Sequence, residues 1–65
     1  MKQANQRLRD KAAREGIPLY MIGRRFGVND GTFSRWLRVE FTAEKTALAL
    51  RYIDELAEAR RRGDL

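Results

Sequence analysis

One glycine constrains this chain more than any other residue. Gly27 interrupts an apolar pattern at helical spacing, with Leu19, Ile22 and Phe26 before it and Val28, Phe33 and Trp36 after it. Neither flanking stretch is long enough to form a stable helix alone, so each must bury its apolar face against the other and against further helices. A left-handed residue at position 27 turns the chain sharply, and only glycine does so without a Cβ penalty. Two helices crossing at a steep angle also need a small residue at the contact, a plug after the corner and large apolar residues on the inner face of the second helix. Gly23, Val28, Phe33 and Trp36 supply them.

The composition agrees with helices throughout. Eight alanines and seven leucines stand against two valines and three isoleucines. At 65 residues the chain makes one small domain, burying only about 60% of the surface it exposes when unfolded. With no cysteine and no histidine, neither a disulfide nor a thiolate or imidazole metal site can reinforce that core. No apolar run approaches the roughly 20 residues of a membrane span, and the first residues do not read as a signal peptide. The expectation is an all-α, cytoplasmic domain without cofactor, metal or membrane contact.

Four helices are expected. The first runs from about Gln3 to Glu15 on an Ala4, Leu8, Ala12 stripe, with Lys2, Arg7, Arg9, Lys11 and Arg14 around it and an Asp10–Arg14 pair along it. Gly16 stops it. The second opens at Pro18, which suits a first helical position, buries Leu19, Ile22, Gly23 and Phe26, and leaves Arg24 and Arg25 outside. Asn29 caps the third, with Asp30 in its first turn and Phe33, Trp36 and Leu37 inward. Val39–Phe41 is a connector whose Phe41 enters the core. Thr42 caps a long fourth helix from Ala43 to about Arg61, buried through Ala49, Leu50, Ile53, Leu56 and Ala57 and wet along Arg51, Asp54, Glu55 and Glu58. Gly63 closes it, and the last residues fray.

The charge is lopsided. The chain carries a net +5, with nine basic and three acidic residues in 1–38 but five basic and six acidic in 39–65. An anionic partner for the first half follows from that asymmetry; a basic protein with ordinary surface arginines is the plainer alternative.

The words GRRFGVNDGTFSRWLR, within GIPLYMIGRRFGVNDGTFSRWLR and followed by a helix opening at FTAEK, resemble the helix-turn-helix of the lambda-repressor/Cro (XRE-type) class. They are similar to small proteins of phages and mobile elements in Gram-positive bacteria. The resemblance covers about residues 6–57. Gly23 stands where that class more often has alanine, Phe33 where it more often has valine or isoleucine, and four helices stand where it usually has five.

The resemblance implies a four-helix, lambda-repressor-like domain that binds double-stranded DNA through its third helix. Base-edge contacts would fall to Asp30, Gly31, Ser34, Arg35 and Arg38, and Asn29 would cap the helix or meet a phosphate. Helical spacing independently sets residues 31, 34, 35 and 38 on one stripe opposite Phe33 and Trp36. Arg35 and Arg38 can each grip a guanine edge with two hydrogen bonds, while Gly31 would let the backbone approach the groove floor. Asp30 fits a cytosine amino group or, equally, the positive end of its own helix. Arg24 and Arg25 are the phosphate candidates, with Tyr20 as a further hydroxyl donor or a core-edge ring. Leu48, Tyr52 and Ala59 form a second apolar line on the last helix, which either packs on the first helix or joins two copies on DNA.

Three functions are compatible with these residues: a regulator occupying an operator, an excisionase-like architectural factor, and a protein-interaction module on the same fold. A wing hairpin would favour the second, and Leu48 and Tyr52 would mark the surface of the third. Catalysis is not expected, because without histidine or cysteine an enzyme would have to use carboxylates such as Glu40, Glu44, Asp54, Glu55 and Glu58, and the last three share one solvated helix face. No glycine-rich phosphate loop follows a strand.

Overall fold

A computed structural model describes residues 3–63. Lys2 and the expected fraying at 64–65 lie outside the described residues. Among these run four helices and no strand: α1 Gln6–Glu15, α2 Leu19–Arg25, α3 Asp30–Trp36 and α4 Ala43–Arg61. No helix among them is long and apolar enough to cross a membrane.

Two starts differ from the sequence expectation. α1 begins at Gln6 rather than Gln3, because Asn5 adopts a left-handed backbone (φ 62°, ψ 37°) that no α-helix can include. Pro18 stands just before α2 instead of within it, extended at φ −62°, ψ 141°. Its carbonyl accepts the Met21 N–H at 3.1 Å. The expected Asp10–Arg14 pair gives way to a bond from Gln6 Nε2 to Asp10 Oδ1 at 2.7 Å. The two later starts follow the capping residues. Asn29 Oδ1 accepts from Thr32 N–H at 2.8 Å, and Thr42 Oγ1 accepts from Lys45 N–H at 3.1 Å, each satisfying a donor that its helix leaves open.

The corner between α2 and α3 is built from backbone bonds. Gly27 has φ 81°. Its N–H donates to the Arg24 carbonyl at 3.0 Å, and the Val28 N–H donates to the Gly23 carbonyl at 3.1 Å, so the last carbonyls of α2 are closed over a left-handed residue. Val28 is half-buried against the core rather than sealed within it. Across the corner, α3 presses on α2 at Gly23. A Cβ there would lie 2.8 Å from both Cβ and Cγ of Phe33, inside any tolerable contact, and Phe33 itself is 1% exposed. A bare backbone on α2 and a large ring on α3 are therefore one complementary pair.

Phe26 centres the aromatic part of the core. Its ring lies 5.8 Å from Phe33 and from Trp36, and 5.0 Å edge-on from Tyr52. Phe41 stands 6.3 Å from Phe33, which places the connector's aromatic residue in the core as its sequence suggests. Leu8, Ala12, Ile17, Ile22, Leu37, Ala49, Ile53 and Leu56 complete the cluster. α4, about 28 Å long at 1.5 Å per residue, packs on both α1 and α2 within a molecule measuring 33 × 23 × 20 Å.

The end of α4 does not project beyond the core, as its length suggests it should. Ala57 and Ala59 are buried, and Arg60 Nη1 donates to the Gly16 carbonyl at 2.7 Å and to the Glu15 carbonyl at 3.4 Å. Arg60 thus serves the negative end of α1. The wet face of α4 is likewise engaged: Asp54 pairs with Lys11 at 3.0 Å, and Glu55 with Arg25 and Arg51, both at 3.3 Å.

Two substitutions test this packing by thermal or urea melts. Gly27→Val forces a β-branched residue into a left-handed corner and is expected to cost at least about 1 kcal/mol, although nothing crowds the site. Gly23→Ala is expected to cost about 1–3 kcal/mol by overpacking. Combined with Phe33→Val, it should cost less than the sum of the two single changes, since the smaller side chain removes the clash. Additive losses would mean that the two residues do not share the crossing.

Candidate nucleic-acid interface

α3 has one face in the core and one in solvent. Phe33 and Leu37 are buried on the inner side, whereas Asp30, Gly31, Ser34, Arg35 and Arg38 are all exposed. The helical register that the inner residues fix therefore turns Asp30, Gly31, Ser34 and Arg35 outward together, whereas Arg38, expected on the same stripe, lies in the turn after α3, which ends at Trp36. A Cβ on Gly31 would meet only Asn29 Oδ1, at 3.6 Å, so that position is open rather than pressed by the fold. Asn29 spends its side-chain oxygen on the Thr32 N–H, which assigns it to the cap. Asp30 sits in the first turn of α3, where its charge opposes the positive end of the helix.

Arginines sort into two groups by what they touch. Arg9, Arg25, Arg51, Arg60 and Arg61 are each bonded to protein oxygen. Arg61, 2.6 Å from Glu58, holds that carboxyl below its ordinary pKa, first by the hydrogen bond and then by its charge. The guanidinium groups of Arg35 and Arg38, by contrast, belong to exposed residues and make no hydrogen bond or ion pair with the described residues, and the same holds for Arg7 and Arg14 on α1. Arg24 lies on the outer side of α2 with its guanidinium 5.0 Å from the Tyr20 ring centroid. That cation–π contact orders the side chain without neutralising it.

The other expected phosphate ligands are placed differently. Arg25 is tied to Glu55 at 3.3 Å, at the seam of α2 and α4. Tyr20 is 43% exposed and borders an open cleft of about 230 Å³ with Arg9, Asp30 and Ser34. The candidate contact line on α4 divides. Tyr52 is half-buried with its ring on Phe26, Ala59 is buried, and Leu48 alone is exposed, at 37%. Tyr52 therefore packs intramolecularly on the ring at the end of α2, and Ala59 is closed off by burial. Among the described residues, no cluster of carboxylates is arranged to hold a metal ion.

Two residues matter here that the sequence reading passed over. Arg9 Nε donates to the Ala4 carbonyl at 2.9 Å, and its Nη2 to the Leu37 carbonyl at 3.3 Å, so a residue taken for helix solvation closes the C-terminal end of α3. Asn5 is 3% exposed and reaches the same segment. An asparagine directly before a helical stripe was a signal for a helix boundary. Its partners, more than thirty residues away, left none.

No family model, curated protein or solved structure matches the chain.

Because Asn29 caps α3, Asn29→Ala is expected to lower stability by about 1 kcal/mol. Arg25→Ala, which loses a half-exposed ion pair, should cost at most about 1 kcal/mol. Chemical denaturation of the two variants beside the parent protein measures both. An Asn29→Ala variant as stable as the parent would show that its side chain does not support the helix.

Proposed function

We propose that the protein is a sequence-specific DNA-binding protein, a lambda-repressor-like helix-turn-helix regulator of the kind found in phages and mobile elements, which inserts α3 into the major groove. The observation that carries this reading is the outer face of α3 and the turn that follows it. The inner face of the helix is locked into the core by Phe33, while Arg35 on α3 and Arg38 in the turn just past it stand exposed without a protein partner. Two unpaired guanidinium groups three residues apart at the end of a packed helix suit the O6/N7 edges of guanines. Ser34 and Gly31 between them leave the backbone room to approach.

In this reading Arg24, ordered by Tyr20, meets a phosphate beside the groove, and Arg25 does so only by giving up part of its pairing with Glu55. Asp30 serves the helix end, with a cytosine amino group as its possible base partner. The excisionase-like alternative loses its main support, since no hairpin wing is present among the described residues. Two copies are expected on a site with half-sites about one helical turn apart, because one short helix offers few direct contacts. Leu48 is the side chain left to join them.

Selection from a random duplex pool, followed by anisotropy titrations at several salt concentrations, tests the proposal. Arg35→Ala and Arg38→Ala should each weaken the selected site by about 1–3 kcal/mol and leave random duplex comparatively untouched. Arg24→Ala should weaken both alike and flatten the salt slope by about one unit. Equal losses on selected and random duplex for the α3 variants would remove α3 as the reading element. Sedimentation on a full site should show two copies, reduced to one by Leu48→Glu in a chain that melts like the parent. One copy of the parent protein on a full site would count against the paired arrangement.

A further inference from the structure

Arg38 lies just past the last residue of α3, where a helix normally frays and a side chain loses its fixed direction. Here the segment that carries it is fastened by a single distant residue. Asn5 Nδ2 donates to the Leu37 carbonyl and to the Val39 carbonyl, both at 3.0 Å, the carbonyls of the two residues next to Arg38. Asn5 Oδ1 accepts the Phe41 N–H at 2.8 Å. The Asn5 backbone N–H donates to Glu40 Oε1 at 2.7 Å. Arg9 Nη2 adds a second donor to the Leu37 carbonyl, at 3.3 Å.

The amide of Asn5 is thus used completely, both donor hydrogens and the acceptor, inside a site that is 3% exposed. To bring it there the backbone takes the left-handed conformation, which costs free energy for any residue with a Cβ and least for asparagine among the polar ones. A general need to close the end of α3 would be met by the Arg9 bond or by water. Bridging the carbonyls of Leu37 and Val39 does something narrower: it holds the peptide plane that enters Arg38 and the plane that leaves Val39. The Val39 N–H, donating to the Trp36 carbonyl at 3.1 Å, holds the plane between them. The direction in which the Arg38 side chain leaves the backbone is thereby set.

We propose that Asn5 is a positioning residue for DNA recognition, holding Arg38 in the orientation that reads a base. This rests on the DNA-binding reading above and adds to it a specificity role for a residue that lies outside α2 and α3. Its effect on affinity runs through Arg38, and it does not act on the phosphate contact at Arg24.

The experiment uses two variants of the full chain. Asn5→Gly keeps the left-handed backbone freely available and removes all side-chain bonds. Asn5→Asp keeps an acceptor for the Phe41 N–H and loses both donors to the flanking carbonyls. Each is titrated with the duplex selected by the parent protein and with random duplex, at a temperature where circular dichroism shows it fully folded.

Both variants are expected to lose roughly tenfold on the selected duplex, the scale of one well-formed base contact, with random-duplex binding within about twofold of the parent. Placed on Arg38→Ala, Asn5→Gly should cost no further affinity, whereas on Arg24→Ala its loss should multiply. Folded variants that keep the parent's preference would overturn the proposal, and so would a loss that multiplies with Arg38→Ala. If neither variant folds at any temperature, Asn5 supports the whole domain rather than Arg38, and the proposal is equally lost. A parent chain that selects no duplex at all fails the DNA-binding reading itself, a result separate from a failure of Asn5 in a chain that does select one.

Discussion

Everything on the outer face of α3 depends on how closely its inner face can approach α2. The contact at Gly23 sets that distance: with no Cβ on one helix, the Phe33 ring of the other lies directly on backbone. Phe33 then reaches Phe26, and through Phe26 the Trp36 and Tyr52 rings join one cluster. The helix cannot roll about its axis without pulling an aromatic ring from a packed site, which would cost several kcal/mol for a residue of this size. Lys45 covers the outer side of this cluster, its ammonium 3.7 Å from the Trp36 ring centroid. A seven-residue helix is thereby held as firmly as a much longer one.

Charge is distributed with the same economy. The acidic second half of the chain, read from sequence as merely solvated, supplies Asp54 and Glu55 to Lys11 and Arg25 across helix boundaries. These half-exposed pairs contribute little each. Their larger effect is on where positive charge remains: pairing neutralises part of the basic surface along α4 and leaves the outer side of α3 unneutralised.

Much of the fold was legible because it rests on short-range rules. Gly27 after Phe26, Asn29 before Asp30 and Thr42 before Ala43 are signals complete within four or five residues, and each marks the boundary it announces. The outward stripe of α3 followed from spacing once Phe33 was taken as buried. Pairings across the chain were not legible. Nothing near Arg60 indicates that its guanidinium serves Glu15 and Gly16, and nothing near Tyr52 decides between a second copy and Phe26. Asn5 was passed over because helix periodicity from Ala4 to Leu8 set the expected start of α1 ahead of it. The conformation that moves this start is specified by partners at 37, 39 and 41.

The tethers on α1 also bear on the order in which the chain assembles. α2, its corner and α3 lie within twenty residues of one another, so their contacts close short loops and can form early. α1 is fastened at its start to residues 32–36 positions away and at its end to one 44–45 positions away. The bonds at its end can form only after α4 has docked. Closing the longer loops costs little extra entropy, since the penalty grows only with the logarithm of length. The first helix in the chain is thus the last to be secured, and its arrival converts a locally formed helix pair into a cooperative whole. Amide hydrogens in α1 should accordingly exchange through an opening that leaves α2 and α3 paired.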